Sequence, residues 1–222
     1  INVVPKIASC VLKLQKNINI SSVIATLKKQ IDDYNYDMDI YKIDDSHIKI
    51  TSYGIAAHSA HPDLGKNAIS KLLCVINNLL LLYHASIPLI STFCTFIGDD
   101  YTGKKLKLDF KDETGTLTLN TSQCYIQDHY LCIGINLRIP VSHSSETVLQ
   151  VFKQTFSNTG ISICAIQDMP PLFMDKENPL VKKLCCIFNE TCGTSFPPLA
   201  IGGATYARAF PNMISFGMNF PR

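Results

Sequence analysis

Asp37-Met38-Asp39-Ile40-Tyr41-Lys42-Ile43-Asp44-Asp45-Ser46-His47-Ile48-Lys49-Ile50-Thr51-Ser52-Tyr53 sets the fold class. Runs near Asp37–Ile43 and His47–Tyr53 are rich in β-branched and aromatic residues, with apolar and polar positions alternating. Asp44-Asp45-Ser46 between them is turn chemistry, so the stretch predicts two antiparallel strands. Upstream, Lys6 to Leu14 alternates as a half-buried strand does, through Ile7 and Val11. Ser21-Ser22 then predicts a cap for a helix from about Val23 to Tyr34, with Val23, Ile24, Leu27 and Ile31 at helical spacing. Downstream, a helix is predicted from about Gly65 to Leu82. An aromatic-rich helical patch, Ile90 to Phe96, leads into the polar loop Gly98–Lys105.

The same ingredients recur after Gly115. Thr116–Ile126 and Tyr130–Ile139 read as long strands joined at Gln127-Asp128-His129. Ser144-Ser145-Glu146 opens a helix to about Asn158 that turns Val148, Leu149, Phe152 and Phe156 inward. Gly160 ends it, and Ile161–Ile166 reads as a further strand. The expectation is an α+β fold of two pseudo-repeated halves, about 1–98 and 115–168, each a small antiparallel sheet backed by helices. The texture changes after Met169. Pro170-Pro171 makes a hinge, and a helix runs from Asn178 to Thr191 with Pro179 in its first turn and Gly193 at its end. A turn at Gly202-Gly203, the segment Ala204–Phe210 and a strand near Met213–Phe216 complete the chain. This tail has no evident mate, so 169–222 is expected to be part of another domain.

The 222 residues are 46% hydrophobic and 17% charged, with a net charge of +2. That composition describes a packed domain and gives no electrostatic reason to expect nucleic acid or an anionic membrane as partner. Lys104, Lys105, Lys107 and Lys111 are interleaved with Asp109, Asp112 and Glu113. No stretch reaches the roughly 20 apolar residues that span a bilayer. The opening Ile1-Asn2-Val3-Val4-Pro5 has neither a basic leader nor an initiator Met, so no signal peptide is expected and an internal piece of a longer protein is. The nine cysteines are odd in number, sit within apolar runs and include no C-x-x-C pair. They are expected to be buried small hydrophobes in a reducing, cytoplasmic compartment, without disulfides.

Gly54-Ile55-Ala56-Ala57-His58-Ser59-Ala60-His61-Pro62-Asp63-Leu64-Gly65-Lys66-Asn67-Ala68 is the most specific stretch. It resembles the G-x-x-x-H-x-x-x-P-x-x-G-x-N-A motif of the aminoacylase and carboxypeptidase-type dinuclear zinc metallopeptidases, and most closely the PepV-type dipeptidases. Three further segments agree in order. Ile1-Asn2-Val3-Val4-Pro5 resembles the N-x-V-P approach to that family's lid domain, and Asn136-Leu137-Arg138-Ile139-Pro140 the N-x-R-x-P end of a lid strand. Leu199-Ala200-Ile201-Gly202-Gly203-Ala204-Thr205-Tyr206-Ala207-Arg208-Ala209 resembles L-A-I-G-G-G-T-Y-A-R-A, with Ala204 in place of one Gly.

The resemblance implies a lid domain over 1–168 and a partial α/β catalytic-domain segment over 169–222. The implied enzyme is a zinc-dependent dipeptidase that hydrolyses short peptides with a free C-terminal carboxylate. It implies two zinc ions in the intact enzyme, with their ligands outside this chain, so no metal ligand is assigned and the piece alone is expected to be inactive. The implied partners are a short peptide and the remainder of the catalytic domain, in an intact enzyme that is a monomer.

By the resemblance His58 is the lid histidine that stabilises the oxyanion, an imidazole being able to donate one hydrogen bond while its other nitrogen is held. The residues alone favour a loop His that caps the helix near Gly65, and the motif reverses that preference. His61 completes a His-x-x-His, but the family keeps no His there and Pro62 pins it in a turn, so it reads as a surface residue. Gly65 and Asn67 are expected to shape the loop and the helix start. Arg138 ends an apolar strand; its planar fork suits a terminal carboxylate, and a structural salt bridge is the alternative. Asn2 resembles the lid-approach Asn near the reacting centre, or is a turn residue. Gly202, Gly203 and Thr205 would offer backbone and hydroxyl donors to substrate, and Arg208 a further contact. Two other readings compete: a family member acting on N-acyl amino acids, and a non-catalytic α+β ligand-binding module. An RNA-binding version would need basic neighbours, which Tyr125 and Tyr130 lack.

Overall fold

The structure, a computed structural model, describes residues 2–203 and 205–217. Ile1 and Ala204, which stand in two of the motifs above, lie outside the described residues. The fold is α+β. Strands β1 (Ile7–Lys13), β2 (Met38–Lys42) and β3 (His47–Tyr53) form an antiparallel sheet in the order β1-β3-β2. Helices α1 (Ile20–Asp33), α2 (Ala68–Leu82) and α3 (Pro88–Phe96) accompany it. After the short strands β4 (Lys111–Asp112) and β5 (Gly115–Thr116) comes the hairpin β6 (Thr118–Gln127) and β7 (Tyr130–Arg138). Helices α4 (Ser145–Phe156) and α5 (Pro179–Cys192) follow.

The turn between β2 and β3 forms where the sequence places it. Asp44 Oδ1 accepts from the backbone N–H of Ser46 (2.7 Å) and His47 (2.8 Å), replacing bonds that the turning backbone cannot make with itself. The Ser46 backbone N–H first, and then the bond from the His47 side chain, hold the Asp44 carboxyl down at about 2. The second hairpin turns on Asp128 and His129, both with positive φ (48° and 68°), the backbone that a two-residue turn requires.

Strand β1 forms as expected but faces the other way. Ile7 and Val11 are exposed, and Ala8, Cys10 and Leu12 pack on the core. Pairing with the buried Ile48 and Ile50 of β3 decides the face, because directly opposed residues share it: Leu12 lies across from Ile48 and Cys10 from Ile50. Helix α1 begins earlier than Ser21-Ser22 predicts. Asn19 is its cap, accepting from Ser22 N–H at 3.1 Å, and the earlier start brings Ile20 into the core beside Val23, Leu27 and Ile31. Ile161–Ile166 forms no strand, and neither does Met213–Phe216. The β6-β7 hairpin takes up no third strand, and Ile163 and Ile166 stay exposed.

One core serves the three-stranded sheet and the β6-β7 hairpin. Leu27, Ile48, Ile50, Val75, Leu108, Leu117, Leu119, Val148 and Phe152 belong to a single buried cluster, and α2 packs against α1, β1, β3 and β6. All nine cysteines are free thiols, but none is fully buried as the sequence led us to expect. Cys164, Cys186 and Cys192 are exposed because the irregular stretch and the outer face of α5 carry them. Burial pushes the Cys10 and Cys124 thiols up to about 11. Among the described residues, no helix is long and apolar enough to cross a membrane.

Candidate functional site

The loop from Gly54 to Asn67 is tied at its neck. Ile55 and Lys66 exchange two backbone hydrogen bonds of 2.9 Å each. The strands of this neck approach so closely that a Cβ on Gly54 would lie 2.0 Å from the Lys66 carbonyl oxygen, and one on Gly65 2.9 Å from that of Ile55. Only glycine fits both places. Within the loop, His61 N–H donates to the His58 carbonyl (2.8 Å) and Pro62–Leu64 makes one 3₁₀ turn, leaving His61 itself exposed.

Asn67, not Gly65, starts α2. Its side-chain oxygen accepts from Ile69 N–H (3.0 Å) and Ser70 N–H (3.1 Å). Its amide group meanwhile donates to Asn120 Oδ1 (3.0 Å) and to the Thr121 carbonyl (2.7 Å). A cap of this kind contributes about 1–2 kcal/mol, and the two amide bonds about 1 kcal/mol each. Asn67→Ala is therefore expected to destabilise the fold by about 2–4 kcal/mol in urea unfolding. A loss below about 0.5 kcal/mol would show that the cap and its bonds to β6 carry no weight.

His58 projects from this loop with its side chain exposed and one ring nitrogen committed. The Ala60 backbone N–H donates to His58 Nδ1 at 3.2 Å, so Nδ1 accepts and the neutral ring carries its proton on Nε2. Partial desolvation of the ring lowers the His58 pKa, and the charge of Arg138 and then His61 lower it further. The ring is thus a neutral hydrogen-bond donor.

Arg138 closes β7 on the same side. Alternation along the hairpin puts Thr118 and Asn120 of β6 on one face with Asn136 and Arg138 of β7, opposed as Thr118–Arg138 and Asn120–Asn136. This polar face carries the loops. Arg138 Nη2 donates to Asn2 Oδ1 (3.1 Å), and Thr118 Oγ1 to the Ser59 carbonyl (3.1 Å). Asn120 Nδ2 donates to Ser59 Oγ (2.8 Å) and to the Val3 carbonyl (3.1 Å). Ser59 N–H donates to the Asn2 carbonyl at 2.9 Å. Arg138 Nε is buried and finds no hydrogen-bond partner among the described residues. Desolvation lowers the guanidinium's pKa.

Asn2, His58 and Arg138 therefore stand together. Gly202 joins them: a Cβ there would lie 3.0 Å from Ala60 Cβ and 3.3 Å from Arg138 Cδ. Gly203 is exposed, and Thr205 is half-buried at the start of the 3₁₀ turn Tyr206–Ala209, where its side chain makes no capping bond. Arg208 is engaged elsewhere, donating to the Pro170 carbonyl. The residues that sequence reading missed are Thr118, Asn120 and Ser59. Their signal was the two-residue spacing of Thr118 and Asn120 around Leu119, a polar face that acquires meaning only once β6 is registered against Arg138. Among the described residues, no group of three or more His, Cys, Asp or Glu could hold a metal ion.

No family model matches the chain. It is 29% identical over 223 residues to the Bacillus subtilis (strain 168) protein named "Putative dipeptidase YtjP", covering 100% of this chain and 46% of that protein. It is 30% identical over 180 residues to "Putative dipeptidase SH1171" of Staphylococcus haemolyticus, covering 80% of this chain and 38% of that protein. The same coverage holds at 28% identity for "Putative dipeptidase MW1694" of Staphylococcus aureus (strain MW2). The chain spans less than half the length of these relatives, and over that length it is a distant homologue of bacterial proteins that bear the name dipeptidase.

Proposed function

We propose that this chain is the substrate-clamping lid, with a strip of catalytic domain, of a zinc-dependent dipeptidase acting on short peptides with a free C-terminal carboxylate. The observation that carries the reading is the meeting of Asn2, His58 and Arg138 on one wall, with a neutral imidazole protonated on Nε2 near a tethered guanidinium. Peptide hydrolysis develops negative charge on the scissile carbonyl oxygen, and a donor fixed in advance is worth most there. Arg138 supplies a planar cation for the carboxylate at the peptide's end. Gly202, Gly203 and Thr205 are the further substrate contacts in this reading, and Arg208 an outer one.

The two zinc ions of the reading do not fit the described residues, which offer no ligand cluster. Their ligands belong to the remainder of the catalytic domain. Isolated residues 1–222 are expected to hold no stoichiometric zinc and to hydrolyse nothing. The free thiols support a cytoplasmic setting. A second reading, action on N-acyl amino acids, shares the carboxylate clamp; the segment Leu199–Ala209 and the names of the relatives favour the dipeptidase. The deciding experiment compares kcat/KM of the whole protein on a free dipeptide, its C-terminal amide and an N-acetyl amino acid. The free dipeptide is expected to lead by at least about 100-fold, the loss that misplacing a substrate brings. A lead for the N-acetyl amino acid overturns the dipeptidase reading, and turnover of none of the three overturns the enzyme.

A further inference from the structure

We infer that Asn120 is a positioning residue, a buried amide that fixes where His58 presents its imidazole. The inference rests on the functional reading above only for its kinetic consequence; its structural content stands on the hydrogen bonds themselves. Asn120 is 2% exposed and lies 117, 61 and 53 residues away from its three partners. Each partner adjoins the site. The Val3 carbonyl follows Asn2, which receives the Arg138 guanidinium. Ser59 follows His58. Asn67 caps α2 and ends the loop that carries His58.

The amide can point only one way. The Val3 carbonyl accepts and cannot donate, so Nδ2 must face it, and the second Nδ2 hydrogen serves Ser59 Oγ. Oδ1 then receives Asn67 Nδ2. One side chain thus joins the Val3 segment and two points of the Gly54–Asn67 loop to β6, and β6 is registered directly against the strand that ends in Arg138. Thr118, two residues earlier on the same face, holds the Ser59 carbonyl as well, so Ser59 is gripped at both its backbone and its side chain. His58 hangs on this anchor. Its Nδ1 takes the Ala60 N–H only while residues 58–60 keep their turn. Loosening Asn120 frees the turn, and with it both the place of the imidazole and the tautomer that carries its proton on Nε2.

A residue that acts through His58 should matter only while His58 is present. The experiment is therefore a double-mutant cycle in the whole protein, with Asn120→Ala made alone and in the His58→Ala background. Asn120→Ala alone is expected to lower kcat on a free dipeptide by about 10- to 100-fold, as a displacement of about 1 Å does. In the His58→Ala background it is expected to cost less than about 2-fold. Equal losses in both backgrounds overturn the inference, because a residue that merely supports the fold would produce them. A second readout needs no activity. The ¹⁵N signals of the His58 ring are expected to report an unprotonated Nδ1 in the native protein and a mixture of tautomers in Asn120→Ala. Ser59→Ala, which keeps the Asn120 bonds to Val3 and Asn67, should give the same mixture and is the milder variant if Asn120→Ala does not fold. Ring signals unchanged in the folded variants sink the proposal. Changed signals in a protein that hydrolyses no peptide leave the positioning intact and overturn the functional reading instead.

Discussion

Replacing His58 by alanine in the whole protein is expected to lower kcat on a free dipeptide by about 100- to 1,000-fold, with bound metal unchanged. The effect follows from a ring with one nitrogen spoken for. Nδ1 is occupied by the Ala60 N–H, so His58 can neither take a proton there without breaking that bond nor offer Nδ1 to a metal. Nε2–H is left to donate. Since partial desolvation and the nearby Arg138 charge lower the pKa of His58, the neutral ring persists below its ordinary value of 6.5. Protonation at still lower pH would place a second hydrogen opposite the Ala60 N–H. The stability that the neutral ring gives the turn should therefore be fully present above 6.5, decline as the pH falls below it, and be lost as the pH falls through the lowered pKa. Metal analysis beside steady-state kinetics reads the result. Metal lost in proportion to activity would make His58 a ligand, and unchanged activity would return it to a loop residue that only shapes the turn before α2.

Arg138→Lys keeps the charge and removes the fork. In the native protein Asn2 Oδ1 holds Nη2 at 3.1 Å, while Nε lies buried with no partner among the described residues. An ammonium on a flexible stem can hold Asn2 or reach a carboxylate, but it cannot present two parallel donors. On a free dipeptide the substitution is expected to raise KM and reduce kcat/KM by about 100-fold, the scale of a substrate displaced by about 1 Å. The C-terminal amide has no carboxylate to hold, so native and variant proteins should handle it about equally poorly. The comparison is kcat/KM for both substrates in both proteins. An equal loss on the two substrates would mean that Arg138 only supports the Asn2 segment.

The sequence made the α+β class and most element boundaries legible because they depend on neighbours along the chain. The turn at Asp44-Asp45-Ser46, Pro179 and Gly193 around α5, and the cap at Ser144 all act within a few residues. What it hid depends on partners far away. Ile7 and Val11 read as the buried side of β1 until pairing with β3 turned Ala8, Cys10 and Leu12 inward. Ser21 and Ser22 are good caps by chemistry, yet the helix gains Ile20 in the core by starting at Asn19. Ile161–Ile166 has strand composition and no strand to pair with among the described residues. The site divides the same way. His58 and Arg138 stand in motifs, whereas the Asn120 side chain bonds, among the described residues, to partners 53 or more residues away and stands in none of them.

The unbroken apolar interior has a mechanical meaning. A wall built of two sheets with separate interiors could open along the seam between them, widening the space between His58 and Arg138 as a peptide arrives. Here α2 packs against both β3 and β6, and Ile48, Val75 and Leu119 belong to the same packed mass, so among the described residues one core spans the join between these sheets. Close-packed side chains resist shear because sliding them past one another forfeits contacts on every side. On the proposed reading, the two sheets would carry His58 and Arg138 as one body, and a peptide would meet a wall that does not part between them.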